Sequence, residues 1–203
     1  MRLVVVSAGL TQPSSTRLLA DRLTKAVEAQ ADVEVRVIEL RDLAVDIANH
    51  LVTGFPSPAL SDALRAVAEA DGVIAATPIF TASYSGLFKS FFDLLAVATF
   101  APQAQVSQAL TGKPVLIAAT GGTARHSLAL DHAMRPMFAY LRAVVVPTGV
   151  YAASEDWASG ELAQRVERAA GELVDLMLRT PNQHKEEELV PFEDQLAALR
   201  KKP

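Results

Sequence analysis

The chain has 203 residues, half of them hydrophobic and 21% charged, which suits one globular domain of ordinary size rather than two domains or a disordered polymer. A formal net charge of -4 gives no general basic field, so neither nucleic acid nor an anionic membrane surface is expected as a partner. The absence of cysteine removes disulfides, thiolate nucleophiles and iron–sulfur ligands, so redox chemistry would require a cofactor.

In chain order, short β-branched runs alternate with amphipathic segments, the pattern of βαβ units around a parallel sheet. The opening MRLVVVSAGL breaks at Ser7 and reads as a buried strand over Leu3 to Ser7, not as a signal peptide; the cytoplasm is the expected location. A helix is predicted from Ser15 to Gln30, with Leu18, Leu19, Leu23 and Val27 inward, followed by an alternating edge strand over Val33 to Ile38. A looser stretch with Pro56 and Pro58 leads to a short helix over Ser61 to Ala70, then to a strand over Gly72 to Thr77 and a helix over Gly86 to Val97. After a connector over 99–113 come a strand over Pro114 to Thr120, a helical segment over Ser127 to Leu141, a fifth strand over Ala143 to Pro147 and a final helix over Gly160 to Leu178. The expected fold is a doubly wound five-stranded parallel sheet of order 2-1-3-4-5 with helices on both faces. It would occupy residues 1–180, with 181–203 a charged tail carrying an apolar insert. No stretch approaches the length of a membrane span.

In such a sheet, ligands bind beyond the carboxyl ends of the strands, where the strand order reverses. The loop after the first strand carries hydroxyls at Ser7, Thr11, Ser14, Ser15 and Thr16 and runs into a helix start, which is a candidate phosphate site built from backbone N–H groups and hydroxyls. Any one hydroxyl there could simply cap the helix. The loop matches neither a Walker nor a dinucleotide fingerprint. After the third strand, Pro78 restrains the turn, Ile79 and Phe80 offer an apolar wall for a flat ring, and Thr81 and Ser83 add hydrogen-bonding groups. After the fourth strand, Gly121 and Gly122 permit close backbone approach and Thr123 adds a donor. Together the three loops would fit a flavin with its phosphate, ribityl chain and ring. No catalytic side chain and no metal cluster is expected. His126 reads as a capping or packing residue, Asp131 and His132 point apart on a helix, and Arg17 and Arg125 read as solvated unless they meet a dinucleotide phosphate.

The segments Ser7 to Ala20, TPIFTASYSGLFKSFFDLL from Thr77 and TGGTARHSLALDHAMRPMFAYLRAVVVPTGVYA from Thr120 resemble the NAD(P)H-dependent FMN reductase family, especially the reductases of sulfonate monooxygenase systems. The resemblance covers most of residues 1–178 and implies a flavodoxin-like fold, FMN as cofactor, NADPH or NADH as hydride donor and a homodimer or homotetramer. It also raises a flavin-dependent monooxygenase as recipient of the reduced flavin. By the same resemblance, Ser14 and Thr16 hold phosphate, Pro78 through Thr81 border the flavin, and Gly121 through Thr123 lie near its polar edge. The connector AVATFAPQAQVSQAL and the VPFEDQLAAL tail depart from the sulfonate-system pattern. The apolar breadth of LFKSFFDLL suggests a subunit interface. A quinone or azo-dye reductase with prosthetic FMN, a flavodoxin-type electron carrier and a non-catalytic module remain as alternatives on the same scaffold.

Overall fold

The computed structural model describes residues 1–97 and 109–180. The strands are β1 (Arg2–Ser7), β2 (Glu34–Glu39), β3 (Gly72–Phe80), β4 (Ser83–Tyr84), β5 (Pro114–Gly121), β6 (Val144–Val145) and β7 (Val150–Ala153). The helices are α1 (Ser15–Glu28), α2 (Ala44–Thr53), α3 (Pro58–Glu69), α4 (Gly86–Val97), α5 (Arg135–Tyr140) and α6 (Gly160–Arg179). The parallel order is β2-β1-β3-β5-β6, with β7 also paired to β5, which is the expected 2-1-3-4-5 arrangement with its fifth strand broken in two. The connector's residues 98–108 and the tail 181–203 lie outside the described residues.

The central strands are continuously apolar because each face is covered. Leu3, Val5, Ile74, Leu116 and Ala118 pack against α1 and α6. Val4, Val6, Val73, Val115 and Ile117 join Leu60, Phe88, Phe91, Phe92 and Phe138 on the other face. Four aromatic rings knit that second layer, with Phe92 in edge contact with both Phe91 and Phe138. The apolar breadth of α4 is therefore used inside the chain: Phe88, Phe91, Phe92, Leu94 and Leu95 are all buried. The segment leaves no surplus face from which an interface could be argued.

Several elements differ from the sequence expectation for identifiable reasons. Between β2 and α3 the chain forms a 3-10 turn at Leu40–Leu43 and then α2, which ends where Gly54 adopts a left-handed φ of 77° and donates to the His50 carbonyl. Only Ile47 of α2 is buried, while Val45, Leu51 and Val52 face outward, so no clean amphipathic period marks it. Helix α3 starts at Pro58, earlier than Ser61, because Ser57 caps it and Pro58 supplies the preset φ of a first-turn residue. The helical segment after β5 is a 3-10 turn at Ala124–His126, a π-helical turn at Leu130–Met134 and then α5. Pro136, in the first turn of α5, has no N–H to give the preceding turn, so the regular ladder cannot run through. The fifth strand breaks at Pro147-Thr148-Gly149, where Arg135 donates to the Val146 and Pro147 carbonyls and Glu172 accepts from the Thr148 backbone and hydroxyl. Among the described residues no helix is long and apolar enough to cross a membrane.

Candidate functional site

The parallel register brings the carboxyl ends of the strands to one level: Ser7 pairs with Ala76, Pro78 with Thr120, and Gly121 with Ala153. The three loops singled out from the sequence, after β1, β3 and β5, thus border one crevice. Their closest tie is the 2.7 Å bond between the hydroxyls of Thr16 and Thr120, both buried, which fastens the start of α1 to the end of β5 across β3.

At the β1–α1 loop, Ser14 is the cap of α1, and its hydroxyl oxygen accepts from the Arg17 N–H at 3.2 Å. Its own O–H has no acceptor among the described residues. The Ser15 and Thr16 N–H groups have no partner among the described residues, and the first turn of α1 contains no acidic residue to occupy its positive end. Thr11 is exposed and donates to the Pro13 carbonyl at 3.0 Å, so its hydroxyl supports the loop's own shape. A β-carbon on Gly9 would lie 2.0 Å from the Ser14 hydroxyl, which makes glycine a condition of this cap. Ser7, wholly buried at the end of β1, has a hydroxyl without a partner among the described residues. Thr16 holds Thr120 with its side chain and offers the crevice only its backbone.

Strand β3 runs three residues beyond its expected end and turns back through Thr81 and Ala82, whose φ values of 52° and 63° define a two-residue hairpin turn of the primed type. Alternation along the strand separates Ile79 from Phe80. Ile79 is buried in the α4-side core, whereas Phe80 is half exposed, so the expected apolar wall reduces to Phe80 beside a part-buried Pro78. Thr77 braces the hairpin by accepting from the Ser85 N–H at 3.1 Å and donating to the Pro78 carbonyl at 3.0 Å.

Beyond β5, every residue from Gly122 to Leu128 is exposed. Gly121 and Gly122 serve different ends. A β-carbon on Gly121 would lie 2.1 Å from the Tyr151 hydroxyl, whereas one on Gly122 would meet nothing within 4 Å. Gly121 is therefore demanded by packing, whereas the space beside Gly122 is open. Tyr151 is buried and donates to the Thr123 carbonyl at 2.8 Å; burial pushes its phenol above the usual range. Tyr151, Thr120 and Thr77 were not legible as site residues, since each acts through a partner that only the fold brings near. His126 and Arg125 are exposed on the 3-10 turn, and Asp131 pairs with Arg135 rather than with His132. Trp157 carries the Arg22 guanidinium 4.9 Å from its ring centre, a packing role.

The arrangement presents backbone N–H groups and hydroxyls around a crevice with an exposed aromatic edge. Comparison with known proteins identifies the family. The family profile described as NADPH-dependent FMN reductase matches residues 1–158. An FMN reductase (NADPH) of Pseudomonas aeruginosa is 37% identical over 77% of this chain and 78% of its own length. The NADH-dependent FMN reductase SfnF of Pseudomonas fluorescens is 36% identical over 80% of this chain and 81% of its own. In three dimensions, an oxidoreductase from Corynebacterium diphtheriae superposes with a TM-score of 0.79 at 44% identity, covering 89% of this chain and 98% of that one. A Streptococcus pneumoniae flavodoxin, at 20% identity and a TM-score of 0.58 over 86% of this chain and 99% of its own, shares the fold. The sheet order, the three converging loops and the profile spanning both lead to one assignment: the chain belongs to the NADPH-dependent FMN reductase family.

Proposed function

We propose that the crevice beyond β1, β3 and β5 is the FMN site of an NAD(P)H-dependent FMN reductase. The observation that carries the placement is the Thr16–Thr120 bond, which sets the unpartnered N–H groups of α1 beside the open Gly122 backbone. In this reading the Ser14 hydroxyl and the N–H groups of Ser15 and Thr16 receive the phosphate, with Thr11 shaping the loop around it. Pro78, Phe80 and the backbone of Ile79 and Thr81 border the ring, while the backbone of Gly122 and Thr123 faces its polar edge. Gly121 acts behind them by admitting Tyr151.

When bound, the flavin supplies the hydride-accepting chemistry. The chain's own contribution is to orient and to stabilise: no side-chain acid or base is required, and fixed N–H donors favour the negative charge that accompanies flavin reduction. Relatives named for NADPH and for NADH are almost equally similar, at 37% and 36%, so overall likeness does not select the nicotinamide. Delivery of reduced flavin to a flavin-dependent monooxygenase, and self-association into a dimer or tetramer, complete the proposal. The first is supported by the family resemblance. The second is supported by the exposed Val45, Val52 and Phe55 on and just beyond α2. Rapid mixing of the FMN-loaded protein with NADPH or NADH should bleach the visible flavin band; no bleaching with either nucleotide would reject the proposed reaction. Light scattering that finds only monomer would reject the self-association.

A further inference from the structure

Two arginines border the loop proposed to hold phosphate, and neither is free. Arg17, in the first turn of α1, donates to Asp21 at 2.7 Å and to Glu39. Arg41, on the 3-10 turn after β2, donates to the Thr11 carbonyl at 3.0 Å, and its guanidinium also lies 3.5 Å from Glu39 and 3.4 Å from Asp42. Glu39, at the end of β2, is the one carboxylate shared by both; its side chain is only 19% exposed, against 70% for Asp42. Two guanidinium groups thus face three carboxylates beside the start of α1.

We propose that Glu39 sets flavin affinity, by holding Arg17 and Arg41 away from a bound phosphate so that FMN stays exchangeable rather than permanently bound. The inference rests on the reading of the β1–α1 loop as the phosphate site. A reductase that hands on its reduced flavin is served by a site whose donors are mostly neutral, since these hold phosphate less tightly. A free arginine would form charge-assisted, bidentate bonds to phosphate and slow release. Removing the Glu39 charge loosens Arg41 in particular, because Arg17 retains Asp21 while Arg41 is left with the Thr11 carbonyl and the solvent-exposed Asp42. Arg41 already touches the loop through the Thr11 carbonyl, which makes it the nearer candidate of the two for a phosphate bound there.

The test compares FMN with riboflavin, which lacks the phosphate, by fluorescence quenching on the full chain. Glu39→Gln should bind FMN roughly 3- to 10-fold more tightly, the effect of one uncompensated charge in a partly solvated site. Riboflavin affinity should stay unchanged, and the double variant E39Q/R41M should lose the tightening seen in E39Q. Wild type should also lose less than about threefold in FMN affinity between low and high potassium chloride, because no net cation holds the phosphate. That measurement stands even if the variant folds poorly. Wild type that prefers FMN over riboflavin, with E39Q failing to tighten FMN, overturns the role of Glu39 alone. Equal wild-type affinity for the two flavins overturns the phosphate-loop reading and this inference with it, and a steep salt dependence in wild type overturns the inference directly.

Discussion

Replacing Thr120 by valine tests the link that joins α1 to β5. The substitution is nearly isosteric, so it removes the 2.7 Å hydroxyl bond without opening a cavity, and leaves the Thr16 hydroxyl in a position that is only 2% exposed. An orphaned buried hydroxyl costs about 1–3 kcal/mol. For a chain of this size each kcal/mol moves Tm by roughly 2–4 °C, so T120V should lower it by about 4–8 °C for a mid-range cost. T16V should cost a similar amount, whereas T16V/T120V, with two methyl groups facing each other, should recover most of the loss. Urea unfolding of the four proteins gives the coupling energy, expected at about 3 kcal/mol in favour of the pair, since the two single costs of about 2 kcal/mol each nearly vanish in the double. FMN affinity should follow the same pattern, weakened in each single variant and restored in the double. Additive single effects, or a double variant weaker than either single, would refute the claim that the two hydroxyls serve each other rather than a ligand.

The other expectations concern positions with distinct neighbours. Gly122→Ala, whose β-carbon has open space, should leave Tm within about 1 °C and raise the Kd for FMN, because it obstructs a ligand rather than the protein; unchanged affinity by fluorescence titration would remove Gly122 from the site. Gly121→Ala should instead destabilise by about 1–3 kcal/mol through its clash with Tyr151, and adding Tyr151→Phe should recover part of that in denaturant melts, since the nearest colliding atom is the hydroxyl. Ala82→Gly should stabilise by roughly 0.5–1 kcal/mol by relieving the left-handed strain at φ 63°, measurable by urea unfolding. Lys113 is buried, donates to the Val67, Ala68 and Ala70 carbonyls at the end of α3, and is pulled down by burial to about 8. The unfolded chain therefore holds more protons than the folded one between about pH 8 and 10.4, so this group makes stability rise with pH across that window, by about 3 kcal/mol in full, and adds no slope below it. Unfolding free energies measured from pH 7.5 to 10 should show the rise in wild type and lose it in K113M.

The sheet was legible because its inner strands are buried on both faces, so LVVVS, GVIAAT and PVLIAAT stand out as unbroken apolar runs. The loops were legible because their positions follow from the strand order, and their composition is rich in glycine and hydroxyls. What was hidden depends on contacts distant in sequence. Gly121 looks like a ligand-facing glycine until Tyr151, thirty residues on, is seen to occupy the space its β-carbon would need. Thr16 looks like a phosphate ligand until Thr120, 104 residues away, claims its hydroxyl. Ile79 and Phe80 look like one apolar wall until β3 is seen to continue through them and send them to opposite faces. Helix α2 was hidden by its two-sided apolar pattern and by the prolines just after it.

A common chemical logic runs through the three loops. In each, a protein donor satisfies a backbone carbonyl: Arg41 at Thr11 and Thr11 at Pro13 after β1, Thr77 at Pro78 after β3, and Tyr151 at Thr123 after β5. Carbonyls are the groups that would repel a ligand rich in acceptors, and here they are turned into anchors for the loops themselves. The N–H groups of Ser15 and Thr16 and the O–H of Ser14 are left over among the described residues, with no acid in the first turn of α1 to compete for them. Such a surface discriminates by polarity: it favours phosphate oxygens and the carbonyl and imine acceptors of a flavin, and it gives little to a cation or a donor-rich molecule. Because these anchoring bonds are all made within the chain, the proposed flavin site would draw its shape from the protein itself, which lowers the ordering cost of binding.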